Sequence, residues 1–121
     1  MTEKNAEPFD EATVLSQLQN AWSIETSTLW TAKNPARGQC PVTALVIQDH
    51  FAGEIRKTPT DDGPHFYNVI EGERYDLTAG QFESLPTYLD LPSDRSEAFE
   101  HTNETQYDAL SEEFPTEVIE N

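Results

Sequence analysis

The sequence predicts an α+β domain in which one buried helix packs on a small antiparallel sheet, with further short helices at the C-terminus. Segment 41–53 begins with a proline, carries a heavily apolar side and ends at a glycine, which is typical of a buried helix. Segments 65–70 and 73–78 are rich in aromatic and apolar residues and flank a Glu-Gly pair, which is typical of a β-hairpin.

The length of 121 residues fits one domain with a modest core. We expect a flexible segment over 1–9, a single domain over 10–114 and an acidic tail over 115–121. A single cysteine excludes an intramolecular disulfide. No segment resembles a signal peptide or a membrane span, so we expect a cytoplasmic protein.

Charge narrows the range of partners. The chain has 23 acidic residues against 7 Lys and Arg, a formal net charge of −16. Nucleic acids and anionic membrane surfaces are negatively charged and bind positively charged proteins, so we expect neither as a partner. The acidic residues are spread along the chain and the aromatics fall in patterned segments. We therefore interpret the charge as adaptation to a salt-rich cytoplasm, where cations screen self-repulsion, and not as disorder.

The N-terminal part predicts one helix and one ordered loop. A helix is expected over 11–22, with Asp10 as its N-cap and apolar residues at spacings of three and four. The segment 23–39 is rich in Ser, Thr and Asn, which favours a loop. We expect that loop to be ordered because it holds large apolar residues that are poorly suited to water. These are Ile24, Leu29 and Trp30.

The central helix is expected to begin at Pro41, with Cys40 at its N-cap and Gly53 at its C-terminal cap. A strand over 54–58 and a turn over 59–64 follow. A two-residue loop between the next two strands pairs Ile70 with Glu73 and places His65 and Asp76 as diagonal neighbours on one face. A three-residue loop would separate the two. We prefer the two-residue loop because it leaves one face apolar, as a core requires.

The C-terminal third predicts irregular structure followed by two short helices. Segment 79–92 is expected to be irregular and to pack over the core through four side chains: Phe82, Leu85, Tyr88 and Leu91. Ser93 is a candidate N-cap for a helix ending near Glu100, and Asn103 for a helix over 104–113. We expect Tyr107 and Leu110 to face inward from the last helix.

Cys40, His65 and Asp76 are the parts of a nucleophilic cysteine. A helix N-terminus and a neighbouring imidazolium both favour the thiolate, and a carboxylate orients the ring. The backbone N–H of Cys40 and an amide side chain, either Gln39 or Asn34, would bind an oxyanion. Trp30 and Tyr67 are candidates for the pocket wall.

Less specific interpretations exist for the same residues. A lone cysteine can be a small buried residue at a helix start, and a histidine at a strand start is commonly a structural hydrogen-bonding group. A zinc site built from Cys40 and the histidines lacks recognisable ligand spacing. Neither a phosphate-binding glycine loop nor a serine elbow occurs in the sequence. The sequence predicts no cofactor.

Several segments resemble one family in the correct order. WSIETSTLW, NPARGQCPVTALVIQDHFAGEI, HFYNVIEGERYDLTAGQF, DLPSDRSEAF and TNETQYDAL are similar to the YunG family of small bacterial and archaeal proteins. The resemblance covers about residues 22–113 and implies no particular activity.

A wider resemblance is to the papain-like cysteine fold, which includes NlpC-type peptidases and transglutaminase-like proteins. In those proteins a cysteine opens a buried helix, a histidine begins a strand and a polar residue lies on the adjoining strand. Cys40, His65 and Asp76 occupy these positions here. Papain-type enzymes carry a glutamine six residues before the nucleophile, where this chain has Asn34.

Two functions follow as hypotheses. The first is thiol-dependent hydrolysis or acyl transfer at an amide, isopeptide or thioester bond of a peptide, amide or protein substrate. Cys40 would be the nucleophile, His65 the general base and then acid, and Asp76 the residue that orients the ring. The second is a catalytically inactive papain-like module that binds a protein partner.

Overall fold

A computed structural model describes residues 8–115 and shows an α+β protein. Within that range it has helices α1 Glu11–Ala21, α2 Cys40–Phe51, α3 Arg95–Phe99 and α4 Glu104–Glu113, with a 3-10 turn at Ala79–Gln81. Its strands are β1 Glu54–Thr60, β2 Gly63–Ile70, β3 Glu73–Tyr75 and β4 Leu91–Ser93, in the antiparallel order β3-β2-β1-β4. The predicted α+β class is confirmed. The predicted tail beyond Pro115 lies outside the described residues.

Helix α2 lies at the centre because eight of its twelve residues are apolar and most of these are buried. One side of α2, including Val42 and Val46, packs with residues of α1 and α4. The other side, through Ala44 and Leu45, packs against Ile55 of β1 and other sheet residues. Burial of each large aliphatic side chain contributes about 1.5–3 kcal/mol. The predicted buried helix on a small sheet is therefore confirmed.

Helix α1 begins as predicted, and Phe9 just before it contacts two aromatic rings. The Asp10 carboxylate accepts a hydrogen bond from the Thr13 N–H at 3.0 Å, which satisfies one N–H of the first turn. The Phe9 ring packs 5.1 Å from that of Phe51 and 4.6 Å from that of Tyr75, measured between centroids. Apolar contact with the end of α2 and β3 fixes this position. Residues 1–7 of the segment predicted to be flexible lie outside the described range.

The hairpin between β2 and β3 has the predicted two-residue loop, with Ile70 paired to Glu73. Glu71 and Gly72 both have positive φ, 52° and 84°, as a type I′ turn requires. Strand β3 stops earlier than predicted because Asp76 leaves the ladder: its Oδ1 accepts the Thr78 N–H at 3.3 Å, forming a local turn.

Strands β1 and β2 are longer than predicted and form a second hairpin. The ladder runs from Glu54 paired with Val69 to Thr60 paired with Gly63, so the turn shrinks to Asp61-Asp62. Segment 79–92 is also less irregular than predicted, because it contains the 3-10 turn and the start of β4.

Three helix boundaries differ from the predictions. Gln39, not Cys40, is the N-cap of α2, and Cys40 is the first helical residue. Ala52, with φ of 63°, is the C-cap of α2 ahead of Gly53. Asp94 replaces Ser93 as the N-cap of α3, because its carboxylate accepts the Glu97 N–H at 2.9 Å. Asn103 caps α4 as predicted.

Four apolar side chains expected to be covered are exposed: Ile24, Leu29, Leu85 and Leu91. The segment around Leu85 is held to β1 by polar contacts, since the Thr58 hydroxyl donates to the Thr87 carbonyl and accepts from the Leu89 N–H. Such contacts fix a backbone and leave its side chains free to face water. In the last helix, Leu110 is buried as predicted, whereas Tyr107 is half-buried.

Candidate active site

The structure brings His65 and Asp76 together, as the predicted register requires. Nε2 of His65, on β2, lies 2.8 Å from Oδ2 of Asp76, just after β3. Both side chains are almost completely buried, with exposures of 2% and 7%. The β2–β3 ladder positions His65, and the local turn from Asp76 to Thr78 positions the carboxylate just beyond the end of that ladder.

Cys40 is half-buried and lines the same cleft as His65. Its thiol is close enough to the imidazole to help raise the pKa of that ring. Nε2 of the ring is occupied by Asp76. The thiol, the imidazole and the carboxylate therefore lie together at one site.

The surroundings of His65 favour its charged form. Burial of the ring lowers its pKa, but the hydrogen bonds to Asp76 and Cys40, with the negative charge of these partners, outweigh burial and raise the pKa of His65 from 6.5 to about 9. An imidazolium is therefore favoured at neutral pH.

Cys40 and His65 open onto a cleft of about 340 Å³. Its walls come from the loop before α2, the β1–β2 turn, the 3-10 turn region and the segment between α3 and α4. Besides Cys40 and His65, the lining residues are Leu29, Arg37, Gly38, Pro41, Thr60, Asp62, Pro64, Gln81, Phe82 and His101. Phe82 packs edge-on against the His65 ring, with centroids 4.8 Å apart, and shields one side of it.

Asp76 is held through both oxygens. Oδ2 accepts the Tyr88 hydroxyl at 2.6 Å in addition to facing His65. Oδ1 accepts from the N–H and the hydroxyl of Thr78, each at 3.3 Å. From the sequence, Tyr88 was expected only to pack over the core. The hydrogen bond from Tyr88 to Asp76 could not be predicted from the sequence, because it joins an irregular segment to the end of a strand.

Tyr88 is itself fixed by neighbouring residues. The Arg74 guanidinium lies 4.5 Å from the centre of the Tyr88 ring and donates to the carboxylate of Asp90 at 3.0 Å. Asp90 also accepts the Tyr67 hydroxyl at 2.9 Å. Burial and this hydrogen bond raise the pKa of Tyr67 to about 12. Tyr67 therefore supports the segment that carries Tyr88.

The residues predicted for the oxyanion site and the pocket wall do not line the cleft of Cys40. The Asn34 amide donates to the Gln81 carbonyl at 3.3 Å. Gln39 is fully buried; its Oε1 accepts the Thr26 hydroxyl at 2.8 Å and its Nε2 has no partner among the described residues. Trp30 is half-buried and packs against the core cluster that contains residues of α1, α2 and α4.

Gln81 lines the cleft and was not singled out from the sequence. Its Nε2 donates to the carbonyl and the hydroxyl of Thr78, and its Oε1 accepts the Gly38 N–H at 3.4 Å. Gln81 thus ties the loop before α2 to the turn that follows Asp76. A glutamine in irregular sequence carries no local signal for such a role.

Gly38 allows the loop before α2 to pass close to the Ser27 side chain. Its φ is 74°, and a Cβ there would lie 2.4 Å from Oγ of Ser27. That hydroxyl donates to the Arg37 carbonyl at 3.1 Å. Only glycine combines this backbone angle with so close a contact, so the position of Cys40 relative to the loop depends on it.

The described residues offer no metal-binding group. Across residues 8–115, no three His, Cys, Asp or Glu side chains are arranged so that they could hold a metal ion. His50, which lies on α2, packs its ring 5.1 Å from that of Phe114. His101 is exposed at the cleft, with its ring 5.4 Å from that of Phe66.

Fold and site together define a small α+β protein with a thiol–imidazole–carboxylate cluster at an open cleft. The family model described as YunG protein matches residues 10–118, and the chain belongs to the YunG family. Over 97 residues it is 53% identical to the uncharacterized protein YunG of Bacillus subtilis (strain 168), covering 80% of this chain and 84% of that protein. No solved structure matches the chain. None of the helices in the described range is long and apolar enough to cross a membrane.

Proposed function

We propose that the protein is a thiol-dependent hydrolase or acyl transferase with a papain-like architecture. The observation that carries this proposal is the clustering of Cys40, His65 and Asp76: Nε2 of His65 lies 2.8 Å from Asp76, and Cys40 lines the same cleft as His65. A nucleophile, a base and a group that orients the base are the required parts.

The chemistry runs in two halves. The Cys40 thiolate attacks the carbonyl carbon of an amide, isopeptide or thioester, and His65 protonates the leaving amine or thiol as the bond to carbon breaks. This leaves a thioester between the acyl group and Cys40. His65 then takes a proton from water, for hydrolysis, or from an amine, for transfer, and the thiol is released. Asp76 stabilises the imidazolium in both halves.

Two electrostatic features support a thiolate at Cys40. The first turn of α2 presents N–H groups without intrahelical acceptors, and Cys40 is its first residue. His65 carries positive charge at neutral pH because its pKa is raised to about 9. Both features stabilise an anion on the sulfur.

An oxyanion would be bound first by the backbone N–H of Cys40. Gln39 fits the second donor better than Asn34, because Nε2 of Gln39 has no acceptor while the Asn34 amide donates to the Gln81 carbonyl. Gln39 would have to turn its amide toward the cleft to serve in this way.

The papain-like interpretation rests on the order of the parts. A cysteine opens the buried helix, a histidine follows on β2, and an aspartate comes directly after the adjoining antiparallel strand β3. The hairpin is similar to the one that carries histidine and aspartate in transglutaminase-like proteins. We infer that the protein works in a salt-rich cytoplasm, an inference supported by the net charge of −16.

Alkylation by iodoacetamide tests the proposal, because Cys40 is the only thiol in the chain. At pH 6 and high salt, we expect wild type to be labelled at least about tenfold faster than His65→Ala, since a free thiol is mostly protonated there. His50→Ala, a matched substitution outside the cleft, should retain the wild-type rate. Equal rates for wild type and His65→Ala would refute the enzyme proposal.

A second candidate function is an inactive module that binds a protein partner. Two observations favour it: neither predicted amide lines the cleft, and Leu29 is exposed at the cleft wall. Under this alternative the labelling rate follows that of an ordinary thiol and is insensitive to His65.

A further inference from the structure

Arg37 is a cation at the cleft, and no carboxylate of residues 8–115 forms an ion pair with it. In the described part of the chain, four basic residues pair with carboxylates: Arg56 with Glu54, Lys57 with Glu97, Arg74 with Asp90 and Arg95 with Asp49. Arg37 is exposed, lines the same cleft as Cys40 and His65, and forms no such pair with a described residue. In a chain of net charge −16, where acidic residues far outnumber basic ones, a cleft guanidinium that pairs with none of the described carboxylates stands out.

The backbone holds Arg37 in place. Its carbonyl accepts the Ser27 hydroxyl at 3.1 Å, and its N–H donates to the Asn34 carbonyl at 3.1 Å. The next residue, Gly38, has the constrained φ of 74° and donates to Gln81. The side chain is therefore presented from an ordered loop and not from a free end.

Other charges at the cleft favour an anion near Arg37. The N-terminus of α2 and the His65 ring contribute positive potential beside Cys40. Asp62 is the acidic residue of the lining and belongs to the β1–β2 turn, a different wall from that of Arg37.

We propose that the cleft selects acyl substrates that carry a carboxylate and that Arg37 binds this carboxylate. The proposal rests on the proposed function, because it names the substrate class of the same site. A guanidinium suits the task since its N–H groups match the two oxygens of a carboxylate. Bound in this way, the acid group would position a nearby carbonyl for attack by Cys40.

Two alkylating probes test the proposal directly. Iodoacetate and iodoacetamide react identically: the thiolate forms a bond to the methylene carbon and iodide leaves, so only the charge of the probe differs. The readout is the ratio of the iodoacetate rate to the iodoacetamide rate, measured within each variant at one pH and salt concentration. Differences in thiolate content cancel in this ratio.

Lys33→Gln is the matched control for Arg37→Gln. Lys33 lies in the same loop, is exposed and does not line the cleft, and its substitution changes the net charge equally. We expect the ratio to fall about three- to tenfold in Arg37→Gln and to stay near wild type in Lys33→Gln. Arg37→Lys keeps the charge but loses the paired N–H groups, so its ratio should lie between those of wild type and Arg37→Gln. Arg37→Met, which keeps the apolar stem, gives the same readout if the Gln variant folds poorly.

An unchanged ratio in Arg37→Gln and Arg37→Met would overturn the proposal. An equal fall in Lys33→Gln would also overturn it, since the effect would then come from the overall field of the protein. Either result leaves the iodoacetamide rate of wild type against His65→Ala unaffected. A result that contradicts the proposed substrate class can therefore be distinguished from one that contradicts the proposed function.

Discussion

Tyr88 and His65 share a single carboxylate oxygen. Oδ2 of Asp76 lies 2.6 Å from the Tyr88 hydroxyl and 2.8 Å from Nε2 of His65. The tyrosine comes from an irregular segment and the histidine from the centre of a hairpin, so the hydrogen bonds to Asp76 join two parts of the fold at the site. Removing either partner changes the environment of the other.

Tyr88→Phe should lower both stability and thiol reactivity. The variant leaves a buried carboxylate with one donor fewer, which costs about 1–2 kcal/mol of unfolding free energy. Without that hydrogen bond Asp76 is less firmly held, and we expect slower alkylation of Cys40 near neutral pH. Urea unfolding and iodoacetamide labelling measure the two effects. Tyr75→Phe is the control, since the Tyr75 hydroxyl donates to Glu73 at an exposed position. Equal losses of stability and labelling rate in the two variants would contradict the prediction.

Stability should depend on pH through His65. Its pKa is raised from 6.5 to about 9 on folding, so the folded state holds a proton that the unfolded state releases between these values. This stabilisation is complete below about pH 6.5 and is lost as pH rises through about 9, by up to about 3 kcal/mol.

Asp76→Asn provides the comparison for that pH profile. The substitution removes the charge that raises the pKa of His65, so the decline in unfolding free energy between pH 6.5 and 9 should become shallower. Urea titrations at constant salt measure both profiles. A wild-type profile that is flat over this interval, or identical slopes for both proteins, would show that the proton on His65 is not linked to folding.

Leu45→Ala and Leu85→Ala should differ strongly. Leu45 is fully buried where α2 meets the sheet, and its truncation should cost about 2–5 kcal/mol. Leu85 is 64% exposed, and its truncation should change the unfolding free energy by less than about 0.5 kcal/mol. Urea unfolding of both variants checks this. A comparable cost for Leu85→Ala would mean that its side chain is covered in solution.

Added salt should stabilise the fold. The Debye length falls from about 30 Å at 0.01 M to about 3 Å at 1 M salt, so repulsion within a chain of net charge −16 is progressively screened. We expect the urea midpoint to rise with KCl concentration. A variant with exposed acids on α4 replaced by lysine, such as Glu112→Lys, should show a smaller rise. A midpoint indifferent to KCl would contradict the salt-adapted interpretation.

Periodicity and turn residues allowed much of the fold to be predicted. Helix α2 carries apolar residues on two sides, so it had to be buried between other elements. A two-residue turn at Glu71-Gly72 leaves the hairpin with one apolar face, and this predicted the observed β2–β3 register. That register placed His65 beside Asp76 without any knowledge of the rest of the chain. Segment 79–92 had no periodic pattern, so its 3-10 turn, the start of β4 and the exposure of Leu85 were not predictable.

The sequence by itself thus determined the central helix with Cys40 at its start, the hairpin and the pairing of His65 with Asp76. These depend on contacts within one element or between adjacent strands, where local geometry fixes which side chains meet. Only the tertiary structure decided that Tyr88 holds Asp76, that Gln81 reaches Gly38 across 43 residues and that Arg37 shares a cleft with Cys40. Such contacts join irregular segments distant along the chain, and their geometry is set by packing of the whole core.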